Sequence, residues 1–144
     1  MIANPIFQPV VALMAWTMVM WLWMYATRIP ALGKAGVNPD DLVRGPKKSL
    51  DEVLPPQVQW KAHNYNHLHE APTLFYAVCL LLAMTGNGGG HGTQVAWAYV
   101  GLRVVHSLIQ ATVNKVPVRF AVFALSSLCL IVLIGRATQV VFDF

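Results

Sequence analysis

Ionisable and amide side chains recur at helical spacing within an otherwise apolar part of the chain. Arg103, His106 and Gln110 follow one another at intervals of three and four residues, which places them along one face of a helix. Ionisable residues at bilayer depth are costly, so they usually face the interior of a helix bundle and mark a function. The spacing therefore predicts a polar, ionisable cluster inside an apolar bundle.

A second polar stripe precedes this one in the sequence. His63, then Asn66 or His67, then Glu70 lie along one face if the segment is helical. We expect Glu70 to pair with Arg103, because an unpaired charge in hydrocarbon is strongly unfavourable and the two side chains carry opposite charges. Such a pair either locks two helices together or forms part of a binding site.

The histidines of this stripe also raise the possibility of a metal site. His63 and His67 are four residues apart, His69 and Glu70 are adjacent, and imidazole suits Zn, Fe or Cu. However, His69 points away from the His63 and His67 face on a helix, and no acidic residue is evident to orient the imidazoles. We predict no metal site and interpret the segment as a hydrated start of a helix.

Three further side chains are candidates for chemistry. Arg119 stands just after Pro117 at the start of the last apolar segment, where it either receives an anionic ligand or only anchors the helix at the interface. Cys79 and Cys129 lie in apolar runs without a neighbouring base. We expect both cysteines to be packing residues, with neither a disulfide nor a nucleophilic role.

The apolar segments that carry these residues predict an all-α integral membrane protein. Each is close to the roughly 20 helical residues that cross a hydrocarbon core. Pro72 falls within the second segment and predicts a kink there. The stretch from Arg28 to Gln57 reads as a polar connection. The predicted four-helix bundle forms a single domain, 1–144, with helices at about 5–27, 58–85, 94–113 and 118–138.

Composition supports the membrane assignment. Of the 144 residues, 56% are hydrophobic and only 11% are charged, which is far from the average of soluble domains. Among the connections between predicted helices, the first and third carry Lys and Arg and the glycine-rich second carries none, so the positive-inside rule places both termini on the non-cytoplasmic side. Basic residues do not form a stripe interleaved with aromatic ones, and nucleic-acid binding is therefore not expected.

Three segments together resemble the MAPEG family, the membrane-associated proteins in eicosanoid and glutathione metabolism. The run from His67 to Tyr76 is similar to the family's second helix, in which a Glu is followed shortly by Pro and aromatic residues. Arg103-Val104-Val105-His106-Ser107 resembles the Arg-x-x-His-[Ser/Thr] segment of the prostaglandin E synthase branch, and Pro117-Val118-Arg119 resembles the Pro-x-Arg that begins helix four. The resemblance covers nearly the whole chain and suggests a bacterial-type member in the inner membrane.

This resemblance implies a homotrimer that binds glutathione as a cosubstrate between neighbouring subunits on the cytoplasmic side. A lipophilic small molecule would reach the site from the membrane lipid. The implied activity is that of a membrane-embedded glutathione-dependent transferase or peroxidase acting on a lipophilic electrophile. Arg119 would stand beside the thiol as the catalytic residue, since a nearby cation favours the thiolate. By the same resemblance Glu70 and Arg103 would bind glutathione, and the further predicted binding residues are His63, Asn66, His67, His106 and Gln110.

The chain also departs from the family pattern. Three residues before Glu70 the conjugating enzymes commonly have Asn, where this chain has His67. Four residues after His106 a glutathione-contacting Tyr is usual, where this chain has Gln110. Phe120 follows Arg119, so this position has no hydroxyl to assist the thiol.

These departures keep two other classes of function open. The first is a non-catalytic lipid-binding or scaffold membrane protein of the same fold that has lost the thiol site. The second is a small transporter or channel subunit, which is less favoured because the ionisable cluster lies towards one side of the membrane and the sequence has no visible inverted repeat.

Overall fold

The computed structural model describes residues 4–45 and 49–143, and all regular secondary structure within these ranges is helical. A three-residue turn, 68–70, separates two of the helices, and the described residues form four long helical stretches if these two are counted as one. The two remaining helices are short and lie in the connection after the first stretch. In chain order the helices are α1 (Phe7–Ala35), α2 (Asp41–Arg44), α3 (Leu50–Val53), α4 (Pro56–His67), α5 (Ala71–Met84), α6 (His91–Ala111) and α7 (Val116–Phe142).

Three of the long stretches have the length and apolarity needed to cross a membrane. They are Phe7–Ala35, Pro56–Met84 and Val116–Phe142. In the most apolar 18-residue segment of each, only 28%, 33% and 17% of the residues, respectively, are buried within the protein. Most of their apolar side chains therefore face outward, where lipid rather than water suits them. Helix α6 is 21 residues long but is not among these three, because polar side chains interrupt its apolar sequence.

Helix α6 lies at the centre of the packing and contacts α1, α4 and α7, while α5 packs mainly against α7. Its polar face points inward, as the sequence spacing predicts. Above and below this face the core is apolar, and the rings of Phe75 and Tyr99 stack with centroids 4.5 Å apart. Cys79 is buried in this core and Cys129 is half-buried, and both are free thiols.

Helix α1 continues well beyond its predicted end near residue 27. It passes through Pro30 and ends at Ala35, where Gly36 adopts the left-handed conformation with φ 62° that commonly terminates helices. A proline inside a helix removes one backbone hydrogen bond, and the rest of the helix can tolerate that loss when its surroundings hold it. Here the turn before Pro30 is held by Arg28, whose Nη2 donates to Gln59 Oε1 at 3.2 Å.

The connection after α1 is also more structured than the predicted loop. Asp51 on α3 accepts a hydrogen bond from Gln59 Nε2 at 2.7 Å and lies 2.9 Å from His63 Nε2, so α3 is tied to α4. Gln59 also bonds to Arg28, which links α3 and α4 to α1. The hydrogen bond from Gln59, followed by that from His63, holds the pKa of the Asp51 carboxyl below its usual value.

The second long stretch is broken rather than kinked. Helix α4 ends at His67, and α5 begins at Ala71 after a turn, so that Pro72 falls in the first turn of α5. Proline is favoured at this position because the first amides of a helix have no partner inside the helix to lose. Glu70, at φ −95° and ψ −103°, therefore lies outside both helices. This break is the feature that shapes the candidate site.

Candidate functional site

A cleft of about 260 Å³ lies where α4 ends, α5 begins and α7 starts, against the polar face of α6. It brings two guanidinium groups, two imidazoles and one carboxylate together with aliphatic and aromatic side chains. The residues that line it are His67, Glu70, Ala71, Arg103, His106, Val116, Arg119, Phe120 and Phe123.

The break after α4 positions Arg103. In an uninterrupted helix the carbonyl of His67 would accept a hydrogen bond from the amide of Ala71. Here it accepts hydrogen bonds from the backbone amide of Glu70 and from Arg103 Nη2, each at 3.2 Å. Arg103 is only 1% exposed, and its Nε has no hydrogen-bond partner among the described residues. A buried guanidinium with unused donors is poised to bind an anion that enters the cleft.

The expected ion pair between Glu70 and Arg103 is not formed. Among residues 4–45 and 49–143, His63 and Asp51 make the one contact of this kind. The prediction was wrong because it assumed a continuous helix, whereas Glu70 lies in the turn after α4 and its side chain is exposed. Glu70 and Arg103 nevertheless line the same cleft, so one ligand can contact both charges.

Arg119 is held in the cleft by the turn between α6 and α7. Its Nη1 donates to Asn114 Oδ1, and the amide of Asn114 donates to the carbonyl of Ile109 at 2.7 Å. Asn114 has φ 48°, a left-handed conformation that Asn tolerates better than most residues. The short turn therefore fixes the direction of the Arg119 guanidinium, which would otherwise be free to turn towards the membrane surface.

The polar face of α6 divides between the cleft and the protein interior. His106, 3% exposed, lines the cleft, and its ring centroid lies 6.3 Å from that of Phe123. Gln110, 1% exposed, does not line the cleft, and its Oε1 lies 2.9 Å from His67 Nδ1. Four of the predicted binding residues, together with Arg119, therefore meet at the cleft: His67, Glu70, Arg103 and His106.

The remaining predicted binding residues lie elsewhere. His63 points towards the connection, where it contacts Asp51, and the exposed Asn66 does not line the cleft. Both lie on α4 before its last residue, His67, which does line the cleft. Gln110 reaches the site only through His67.

Sequence reasoning missed the apolar lining of the cleft. Val116 and Phe123 lie three residues before and four residues after Arg119, so the three side chains share one face of α7. This spacing was present in the sequence and could have identified them. The role of Asn114 as a hydrogen-bond acceptor for Arg119 depends on the turn geometry and had no comparable signal.

The described ranges contain no group of three or more His, Cys, Asp or Glu side chains that could hold a metal ion. The histidines of the second stripe have other partners instead. His63 contacts Asp51, His67 contacts Gln110, and His69 Nδ1 lies 2.9 Å from the carbonyl of Tyr65.

The sequence pattern of the MAPEG family matches residues 6–138, a range that includes every residue of the cleft. The chain belongs to the MAPEG family. No curated protein and no solved structure matches it. The family and the three apolar helical stretches both indicate that this MAPEG protein is an integral membrane protein.

Proposed function

We propose that the cleft binds glutathione and that the protein transfers this thiol to a lipophilic electrophile or uses it to reduce one. The observation that carries the proposal is the set of charges in one cleft: Arg103, Arg119 and Glu70. Glutathione has two carboxylates and one amine, so two guanidinium groups and one carboxylate complement it in charge. Arginine also binds carboxylates with paired, charge-assisted hydrogen bonds.

The proposed chemistry depends on Arg119 lying near the sulfur. A fixed cation stabilises the thiolate more than the thiol, and the thiolate is the nucleophile. Because Asn114 holds the guanidinium in place, little reorganisation is needed when the negative charge develops. Glu70 would bind the amine of glutathione, and Arg103 would bind a carboxylate.

The apolar side of the cleft suits the second substrate. Phe120 is 67% exposed and lines the cleft with Val116 and Phe123 at the start of α7. These apolar side chains suit a lipophilic electrophile, which would reach the cleft from the lipid while glutathione arrives from water. The membrane lipid is thus both the solvent and the source of the acceptor.

We further propose that the four long helical stretches span the membrane as a four-helix bundle and that three protomers assemble. The exposed aromatic residues beside Arg119 leave the cleft open on the α7 side, where a neighbouring protomer would close it. By the positive-inside rule, this side would face the cytoplasm of a bacterial cell, and both termini would lie on the other side of its inner membrane. Native mass spectrometry in detergent should give three times the protomer mass of 15.9 kDa. A monomer mass in mild detergent would contradict the trimer.

Activity can be tested with a generic aromatic electrophile whose glutathione conjugate absorbs light. We expect the purified protein in detergent to accelerate conjugate formation only when glutathione is present. The alternative function, a lipid-binding scaffold, predicts lipid binding without any consumption of thiol. Product formation no faster than in protein-free detergent, with bound lipid recovered, would favour the scaffold.

A further inference from the structure

Two departures from the family pattern contact each other in the structure. His67 stands where the conjugating enzymes commonly have Asn, and Gln110 stands where a Tyr is usual. The two residues are 43 positions apart, yet His67 Nδ1 and Gln110 Oε1 lie 2.9 Å from each other. They therefore form one unit, and neither should be interpreted separately as the loss of a site residue.

This contact favours one tautomer of the His67 ring. With the side-chain oxygen of Gln110 facing the ring, His67 Nδ1 carries the proton and donates a hydrogen bond to Gln110 Oε1. The other ring nitrogen, Nε2, then has a free lone pair in the neutral imidazole. No described group hydrogen-bonds to Nε2, and the ring lines the cleft, whereas Gln110 lies behind it in the protein interior.

We propose that His67 is the general base that removes the thiol proton and that Gln110 is the residue that positions it. This inference rests on the proposed thiol function. His67 Nε2 accepts the S–H proton and becomes imidazolium as the thiolate forms. The sulfur electron pair then forms a C–S bond with the electrophile. For an α,β-unsaturated carbonyl acceptor, the imidazolium returns the proton to the resulting enolate, so no redox partner is needed.

The charges around His67 are compatible with this cycle. Arg103 donates to the His67 carbonyl, Arg119 lines the same cleft, and the ring centroid of His106 lies 6.2 Å from that of His67. Glu70, which lines the same cleft, supplies a negative charge beside these groups. The thiolate formed in the same step offsets the imidazolium, and Arg119 stabilises that thiolate. Proton transfer and thiolate formation are therefore coupled.

The test compares His67→Asn, which restores the family residue, with His69→Asn as a matched control outside the cleft. Glutathione affinity is measured by calorimetry, and kcat is measured with saturating glutathione and an α,β-unsaturated carbonyl. We expect His67→Asn to lower kcat by about 10²-fold or more while the affinity stays within about threefold, because a general base acts in the transition state. His69→Asn should leave both unchanged.

Two further measurements separate a base from a structural residue. Exogenous imidazole should restore part of the turnover of His67→Ala and have no effect on the native protein. Gln110→Leu, which retains the imidazole but removes its hydrogen-bond partner, should lower kcat by about tenfold and alter the pH–rate profile. This variant also provides the test if His67→Asn does not fold.

The outcomes distinguish the inference from the function on which it rests. If the native protein neither binds glutathione nor turns it over, the thiol function and the role of His67 both fail. If the native protein binds and conjugates glutathione but His67→Asn retains its kcat, the inference is overturned while the thiol function stands. Loss of turnover without imidazole rescue, together with weaker binding, would make His67 a structural residue and also overturn the inference.

Discussion

Arg119→Ala is expected to lower thiol-dependent turnover by about 10²- to 10³-fold, the usual effect of removing one preorganised group that stabilises developing charge. The reason is that Asn114 fixes the Arg119 guanidinium in the cleft, where it can stabilise a thiolate without reorganisation. Affinity for glutathione should fall less than turnover, because the positive charge matters most once the thiolate has formed. Steady-state conjugation with saturating glutathione measures the effect.

Arg136→Ala is the matched control for this experiment. Arg136 lies on the same helix as Arg119 but lines a different cleft with Asn87 and His91, so its loss removes an equal charge without affecting the site. We expect turnover within about twofold of the native value, as for a surface substitution away from the site. Unchanged turnover in Arg119→Ala, or an equal loss in Arg136→Ala, would remove Arg119 from the mechanism.

Arg103→Met is expected to weaken glutathione binding by about 10- to 100-fold without destabilising the protein. Hydrogen bonds to a charged group contribute about 1.5–3 kcal/mol, and each 1.4 kcal/mol is about a factor of ten in affinity. Calorimetry measures the affinity, and thermal unfolding in detergent without ligand measures the stability.

The sign of the stability change follows from the surroundings of Arg103. The residue is 1% exposed and has no ion-pair partner among the described residues, so methionine removes a buried unpaired charge. The carbonyl of His67 loses one donor but keeps the amide of Glu70. The unfolding temperature should therefore be equal to or higher than that of the native protein. A lower unfolding temperature with unchanged glutathione affinity would mean that Arg103 serves the fold alone.

Ser107→Ala is the control for Arg103→Met. Ser107 is buried on α6 near Arg103 in the sequence, and its hydroxyl has no partner among the described residues, but it does not line the cleft. Removing this hydroxyl should change neither affinity nor turnover. A comparable loss of affinity would indicate that any change in the packing of α6 disturbs the site.

Residue spacing was sufficient to predict the polar face of α6. Arg103, His106 and Gln110 recur at intervals that only a helix brings to one side, and the cost of charge in hydrocarbon requires that side to face inward. The same reasoning could have found Val116 and Phe123 around Arg119. Periodicity within one helix is a local property, and local properties can be read from one sequence.

The break after α4 could not be predicted in this way. Pro72 is compatible with a kink inside a helix or with the first turn of a new one, and the flanking residues favour neither. In the structure the break allows Arg103 to reach the carbonyl of His67, a contact between residues 36 positions apart. The wrong prediction of a Glu70–Arg103 pair followed from assuming a continuous helix.

Contacts between helices were also beyond the sequence. The bond between His67 and Gln110 depends on the relative register of α4 and α6, which a single chain does not reveal. Without that contact, the two residues appeared as separate departures from the family pattern that weakened the expectation of a thiol site. Their pairing changes the interpretation, because a histidine oriented by a buried amide is suited to accept a proton.

The most direct test of the proposed thiol site is calorimetry of glutathione binding to the purified protein in detergent, for the native chain and for the variant combining Arg119→Ala with Glu70→Gln. The charges of the cleft predict saturable binding heat for the native protein and none for the variant, which has lost one of its two guanidinium groups and its carboxylate charge. Absence of heat from the native protein across millimolar glutathione would contradict the thiol site and make lipid binding the preferred function.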